Sequence, residues 1–444
     1  MEPFLQKLSA GLDRLPVPDP SCGIAVAFSG GLDSAVLLAG LRRLVLDRPV
    51  RALHVDHGLH PHSADWERDC EAAARALGVA FCSARVTIHP GAGRSLEAAA
   101  REARYRALAG MAKPGELLLT AHHADDQLET VLLRLLRGSG VRGLRGITEC
   151  GQLGAGYLGR PLLRISRREI RAVAEAWGLR WLEDPSNQDL RFDRNYLRAE
   201  ILPRIKNRWP GAGATVGRTA QQMADAQAIL EEIARADASA IDDPARVPQR
   251  RLLEIPVPRR RILLRHLIAQ LGLPTPTARQ LDTLLRAIAV ERPDAQTRVQ
   301  WPGGEGRMHG GCLYLLAPLG EGSGPDYQGR LSAEAPWTGP EGRVELCRAP
   351  PPGLPDAWVR EGLTLRFRAG GERLRPLGAA YGRALKKTLQ EASVLPWMRG
   401  RIPLLYRAGA LVAVGDLWLS DAVREQGAGE GAWRIRWTDH PPLR

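Results

Sequence analysis

The sequence predicts an α/β fold. A doubly wound parallel sheet fills the N-terminal half, followed by a helical domain and a small α+β C-terminal domain. Three observations predict this. Short apolar runs alternate with helical segments from residue 24 to about 180. A glycine turn joins the first run directly to a helix. Beyond 213 the periodicity becomes helical, then gives way to a Gly- and Pro-rich stretch and a basic block.

Residues 1–20 read as a short helix and a proline-rich lead-in. The apolar run 24–28 is a buried-strand candidate, and 34–46 is helical. A strand follows over 50–55, a helix over 64–77, a strand-like run over 79–88, a helix over 95–111, a strand over 116–121 and a helix over 126–136. Residues 153–163 add a further strand. Ser166 caps a helix running to about Trp177, closed by Gly178. Repeated strand–helix units imply a parallel sheet covered on both faces, whose ligands bind beyond the carboxyl ends of the strands.

Pro210, Gly211 and Gly213 mark a boundary, which gives a first domain over 1–212. Helical spacing over 219–238, 259–271 and 277–290 defines a helical domain, 213–317. The stretch 318–355 reads as a linker from its glycine and proline content. The block 356–444 mixes short strands, such as 363–368 and 411–414, with a helix near 384–392.

Composition narrows the function. With 444 residues, the chain exceeds one ordinary core and predicts two or three domains. No run reaches the roughly 18 apolar residues of a membrane span. The first residues lack the basic-then-apolar order of a secretory leader, so a cytoplasmic protein is expected. The cysteines, at 22, 70, 82, 150, 312 and 347, form no CxxC pair. That disfavours a zinc or iron–sulfur site and a disulfide framework. The net charge of +13 and pI of about 10.0 favour a polyanionic partner. Charge alone does not separate a nucleic-acid binder from a merely basic enzyme.

The first strand runs straight into Ser29-Gly30-Gly31-Leu32-Asp33-Ser34, and a helix follows at once. Two glycines let the backbone turn tightly and present N–H groups, both serines add hydroxyls, and the helix points its positive end at the same spot. The arrangement suits a pyrophosphate. Asp33 is out of place beside phosphates unless it holds a cation or a substrate amine. No Gly-Lys-Ser/Thr follows, so this is not a Walker loop, nor is it a dinucleotide GxGxxG. A plain glycine turn with a helix cap is the bland alternative.

Two further clusters fall at strand ends on the same rim. His54-Val55-Asp56-His57-Gly58-Leu59 closes the second strand, and His122-His123-Ala124-Asp125-Asp126-Gln127-Leu128-Glu129-Thr130 follows the fourth. Paired imidazoles and carboxylates bind metals or manage protons. Asp125 or Asp126 would also serve as a simple N-cap. A metallohydrolase using His54, Asp56, His57, His122, Asp125 and Asp126 explains these clusters but not the glycine loop. Arg101 and Arg104 share a helix face beside Tyr105. They either form a solvated face with Glu97 and Glu102 or bind phosphate or RNA.

SGGLDS resembles the signature of the ATP pyrophosphatases, which cleave ATP between the α and β phosphates and attach AMP to a carbonyl oxygen that a nucleophile then displaces. In order along the chain come HVDHGL, AREARY and AHHADDQLET. Arg137 to Leu144, Arg160-Pro161-Leu162-Leu163, Glu183-Asp184-Pro185-Ser186-Asn187 and Arg194-Asn195-Tyr196-Leu197-Arg198 follow. Together they closely resemble the tRNA(Ile)-lysidine synthase family, densely over 24–205 and again over 366–406.

The resemblance implies an adenine nucleotide α-hydrolase-like fold and a ligase reaction. ATP adenylates the C2 carbonyl of the wobble cytidine in an isoleucine tRNA with a CAU anticodon. The ε-amine of free lysine then displaces AMP. ATP would lie on Ser29, Gly30, Gly31, Leu32, Asp33 and Ser34, with Asp56 and His57 nearby. Mg²⁺ would be held by Asp33 and Asp126. The chemistry would fall to Asp33, His123, Asp125, Asp126, Arg101 and Arg104, with the division between metal and lysine amine open among the three aspartates. Arg194, Asn195 and Arg198 would face tRNA. The competing readings are a cytidine-modifying tRNA sulfur transferase and a non-catalytic RNA binder. A homodimer is left open.

The C-terminal block carries its own signal. Residues 360–407 hold 11 Arg plus Lys and three acids, Glu361, Glu372 and Glu391. Phosphate contacts of this kind give affinity and register rather than sequence reading. Two of the chain's five lysines, Lys386 and Lys387, are adjacent there, in a chain that otherwise uses Arg. With Arg373 and Arg375 they resemble the family's tRNA-gripping domain.

Overall fold

The computed structural model describes residues 2–15, 22–44, 48–58, 62–88, 96–183, 189–290, 297–426 and 432–443. The lead-in at 16–20, the expected helix ends at 45–46 and 95, Leu59, and positions 184–187 lie outside the described residues. The chain forms two compact units, Met1–Leu230 and Glu231–Arg444.

The first unit runs α1 (Glu2–Asp13), β1 (Ile24–Ala27), α2 (Leu32–Arg43), β2 (Val50–Asp56), α3 (Ser63–Ala76), β3 (Ala80–Arg85), α4 (Leu96–Met111), β4 (Leu117–Leu119) and α5 (Ala124–Leu136). There follow α6 (Val141–Leu144), β5 (Cys150–Leu153), β6 (Gly156–Gly159), α7 (Arg167–Ala176), α8 (Asp193–Tyr196), one π-helical turn (Leu197–Ile201), α9 (Leu202–Arg208) and α10 (Ala212–Ala238). The sheet order is β3-β2-β1-β4-β6-β5. Every pair is parallel except β5–β6, an antiparallel edge hairpin.

Alternate residues of β1 serve opposite faces. Ile24 and Val26 pack with Leu8, Val36, Leu38 and Ile170 on one side. Ala25 packs with Leu53, Leu108, Leu118 and Leu158 on the other. Because β2 lies on one side of β1 and β4 on the other, the winding reverses between β1 and β4. A crevice opens at the carboxyl ends of strands at such a reversal.

Pro210 and Gly211 lie at the turn just ahead of α10. They introduce α10, since proline and glycine just ahead of a first turn cost no helical hydrogen bond. The division into compact units falls at Leu230, within α10.

The second unit opens with β7 (Arg246–Pro248), α11 (Gln249–Leu253), α12 (Val257–Gln270), α13 (Ala278–Ala289), β8 (Arg298–Trp301), β9 (Gly304–His309) and β10 (Cys312–Leu316). The helices expected over 213–317 are joined by a four-stranded sheet, β7-β10-β9-β8, whose Val247, Val299, Trp301, Met308 and Leu313 share one core with Leu263, Leu267 and Leu284.

Then come β11 (Gln328–Leu331), β12 (Trp337–Gly339), β13 (Gly342–Ala349), β14 (Leu354–Pro355), α14 (Asp356–Glu361), β15 (Leu363–Arg366), β16 (Arg373–Leu374), β17 (Arg383–Ala384) and α15 (Leu385–Glu391). The last strands are β18 (Leu404–Arg407), β19 (Ala410–Val414), β20 (Trp418–Leu419) and β21 (Ala432–Thr438). They form sheets β11-β15-β18-β19-β20 and β12-β13-β21-β14, and the hairpin β16-β17.

The expectation of a linker over 318–355 fails here. Four strands arise within it, and Leu331, Val344 and Leu354 are wholly buried. Its glycines mark tight strand turns. At Gly342, with φ 111°, a Cβ would stand 2.2 Å from the Thr438 carbonyl oxygen. Among the described residues, no helix is long and apolar enough to cross a membrane.

Candidate functional site

The glycine loop follows β1 and the HHADDQ segment follows β4, so the two face each other across the reversal point. In the loop, Gly30 takes φ 77°, and a Cβ there would meet Cys70 Sγ at 2.6 Å and Leu182 Cδ1 at 2.7 Å. Ser34 Oγ donates to the Gly31 carbonyl at 3.0 Å and lies 3.2 Å from Ser29 Oγ. Gly31 N-caps α2 with no side-chain cap, so the first N–H groups of the helix stay available to an anion. Gly30→Ala therefore forces the loop to shift. We expect ATP–pyrophosphate exchange to fall about tenfold or more, on the order of the 1–2 kcal/mol that left-handed backbone costs a non-glycine residue. Wild-type exchange in that variant would show the loop's shape to be unimportant.

His123, rather than either aspartate, caps α5. Its Nδ1 accepts from the Asp126 N–H at 3.2 Å, while Asp126 Oδ2 accepts from the His123 N–H at 3.0 Å. That assigns the neutral ring's proton to Nε2, which lies 3.6 Å from Asp33 Oδ1. Burial alone would raise the Asp33 carboxyl, but His123, Arg167 and Arg198 hold it below the ordinary carboxylate range. Asp33 Oδ1 is nonetheless buried without a hydrogen-bond partner. Its cationic neighbour His123 Nε2, at 3.6 Å, is beyond hydrogen-bond length, so this charged oxygen keeps its capacity to accept from a ligand.

The two adjacent histidines are pushed apart. Burial would lower His123, but Asp33, Asp126 and Asp125 raise it. His122 falls well below its ordinary value through burial and the cations Arg160, Arg101, Arg194 and Arg104. His57 is lowered by burial first and by Arg104, and its Nδ1 is buried without a partner. The guanidinium carbons of Arg101 and Arg104 lie 5.1 and 5.7 Å from the Tyr105 ring centre, and Tyr105 Oη is also unpartnered. Arg104 is itself depressed by burial. Arg101 is exposed on α4, while Arg104 is half-buried and lowers both His57 and His122 after burial has done so.

Several expected residues are already engaged. Asp125 holds Lys206 Nζ at 2.7 Å and the Arg167 N–H at 3.1 Å. Asp56 accepts from the Gly58 N–H at 2.8 Å and from Arg85 at 2.7 Å. Arg194 and Arg198, expected to face RNA, turn inward. Arg194 Nε and Arg198 Nε meet the two oxygens of buried Glu129 at 2.9 and 2.7 Å, and both guanidinium groups reach Asp126 Oδ1. Asn195 donates to the Asp189 carbonyl at 3.0 Å. Asp126 has Oδ1 on two arginines and Oδ2 in the cap of α5.

Sequence reasoning missed Glu129 and Lys206. The spacing of Asp126 and Glu129, three apart on one helix face, carried the signal for the first. The rarity of lysine carried it for the second.

The metallohydrolase alternative loses its geometry. Among the described residues no three His, Cys, Asp or Glu side chains assemble as a metal site. His54 donates Nδ1–H to the Phe28 carbonyl at 2.9 Å instead. The cysteine beneath the loop stays a thiol, since burial, with Asp69 and Glu67, pushes Cys70 up to about 12.

The family model of the PP-loop domain matches residues 5–205, which places the chain in the class of ATP-using PP-loop enzymes that the sheet and its loop define. The TilS substrate binding domain matches 249–314 and the TilS substrate C-terminal domain 363–437. The tRNA(Ile)-lysidine synthase of Methylococcus capsulatus is 40% identical over 90% of this chain and 93% of that one. The enzymes of the same name from Coxiella burnetii (37%, covering 92% of each chain) and Alkalilimnicola ehrlichii (40%, covering 91% and 92%) agree. The chain belongs to the tRNA(Ile)-lysidine synthase family, ATP-using ligases that modify tRNA.

Proposed function

We propose that the enzyme joins free lysine to the wobble cytidine of an isoleucine tRNA bearing a CAU anticodon. The C2 carbonyl oxygen attacks the α-phosphorus and pyrophosphate leaves. The lysine ε-amine then attacks C2, the C2–O bond breaks, and AMP carries that oxygen away. The observation that carries this reading is the charged, unpartnered Asp33 oxygen beside His123 at the phosphate loop.

Asp33 fits Mg²⁺ as one protein ligand. This ion takes one or two carboxylates and leaves its other positions to water and phosphate. When bound it would neutralise charge on the departing pyrophosphate. His123 orients Asp33 through its Nε2 proton. Lys206 and the paired arginines hold Asp125 and Asp126, so these carboxylates shape the site. His57 and Tyr105, with unsatisfied polar atoms, supply hydrogen bonds to nucleotide or cytidine, and Arg101 and Arg104 face phosphate. Exposed Phe192 and Tyr196 offer ring faces to unpaired bases.

The decisive test supplies ATP, labelled lysine and total tRNA. Label in one cytidine of an isoleucine tRNA supports the proposal, and tRNA without label removes it.

Arg373, Arg375, Lys386 and Lys387 supply the grip on the RNA backbone. Arg373 and Arg375 are partly spent on their own loop, while Lys386 and Lys387 stand exposed on α15. Lys386→Ala with Lys387→Ala should weaken tRNA binding and flatten its dependence on log salt by about two phosphate contacts. Equal affinity and slope in that variant would take the lysines out of the grip.

A further inference from the structure

Tyr381 is 80% exposed, the most exposed large apolar side chain among the described residues. It lies in the loop 375–382 between β16 and β17, and that loop is tied down. Arg373 Nη2 donates to the Gly382 carbonyl at 3.0 Å, and Arg375 Nε donates to the Ala379 carbonyl at 3.0 Å. The Gly378 N–H donates to Asp421 Oδ1 at 3.0 Å, and the Leu377 N–H to the Leu419 carbonyl at 2.9 Å. Arg375 Nη2 pairs with Asp421 Oδ2 at 3.1 Å. Leu374 and Leu385 bury the base of the hairpin. The exposure of the ring is therefore built in by a fixed backbone.

The setting is cationic. Between 372 and 391 stand Arg373, Arg375, Arg383, Lys386 and Lys387, against Glu372 and Glu391. An exposed ring among cations suits a nucleobase face flanked by phosphates. An apolar protein partner would strand those charges at its interface. Bases inside an A-form helix have their faces covered by their neighbours, so along the strand it is an unpaired base that offers one to a side chain. Given the tRNA substrate proposed above, on which this step rests, we infer that Tyr381 stacks on an unpaired base of the RNA. It acts as a positioning residue that fixes where the strand lies against Arg383, Lys386 and Lys387.

The test measures tRNA affinity at several salt concentrations, and kcat/KM for lysine incorporation, in the full-length protein. Tyr381→Ala should weaken binding about tenfold, as expected for loss of one stacked base, and leave the salt slope unchanged. Tyr381→Trp and Tyr381→Phe should restore affinity, because the ring and not the hydroxyl is used. A short single-stranded RNA should lose affinity for Tyr381→Ala, and a blunt RNA duplex should not.

Wild-type affinity in Tyr381→Ala overturns the inference, as does an equal loss on the blunt duplex. A change in oligomeric state in place of RNA affinity assigns the ring to a second copy and also overturns it. If wild-type enzyme labels tRNA while Tyr381→Ala binds normally, the stack alone fails. If no tRNA is labelled, the reading beneath it fails.

Discussion

Asp33→Asn should reduce AMP formation about a hundred- to a thousandfold while tRNA affinity stays within about a factor of two. The side chain keeps its size and loses only its charge. What disappears is the negative charge that His123, Arg167 and Arg198 sustain on a carboxylate whose Oδ1 has no hydrogen bond within the protein. Removing one fixed electrostatic partner from a site of charge transfer costs about that much in rate. Two assays divide the causes. If Asp33 holds Mg²⁺, ATP–pyrophosphate exchange falls and excess Mg²⁺ restores part of it. If Asp33 instead receives the lysine ammonium, exchange survives while AMP formation falls, with a raised KM for lysine. Full AMP formation in the variant would remove Asp33, and with it the loop assignment, from the chemistry.

The contrast between what sequence revealed and what it concealed has a physical origin. Parallel strands covered on both faces read as continuous apolar runs, so β1, β2 and β4 were plain from 24–28, 50–55 and 116–121. The glycine loop was plain because its residue types are dictated locally by backbone turn and anion. Glycine and proline also punctuate short antiparallel strands, however, and composition alone could not separate that use from a linker over 318–355. Gly342 is required by the approach of the Thr438 carbonyl, a contact between residues 96 positions apart.

The site divides in the same way. Asp33 and His123 were legible as residue types at strand ends. The inward turn of Arg194 and Arg198 was not, because it depends on Glu129, which lies 65 and 69 positions back. The opposite shifts of His122 and His123 likewise arise from tertiary surroundings: burial and then arginines lower one, while carboxylates raise the other against its burial.

That inward cluster makes Glu129 the residue whose loss should cost most in stability. Its side chain is 1% exposed on α5, and both oxygens are committed: Oε1 to Arg198 Nε, and Oε2 to Arg194 Nε and Arg198 Nη2 at 2.9 Å each. Replacing it with Gln leaves two partly buried guanidinium groups sharing only Asp126. Breaking a buried pair from one side costs about 3–5 kcal/mol. For a unit of this size that lowers Tm by on the order of 10 °C. The same bonds tie α5, whose first turn carries His123 and Asp126, to α8 and the π-helical turn that sets Arg194 and Arg198 on one face. Activity should therefore fall at temperatures well below the unfolding transition. Arg198→Met added to Glu129→Gln should cost less than the two changes summed, since the second removes a charge the first left unpaired. An unaltered Tm for Glu129→Gln, or strict additivity of the pair, would mean that solvent and not Glu129 satisfies these arginines.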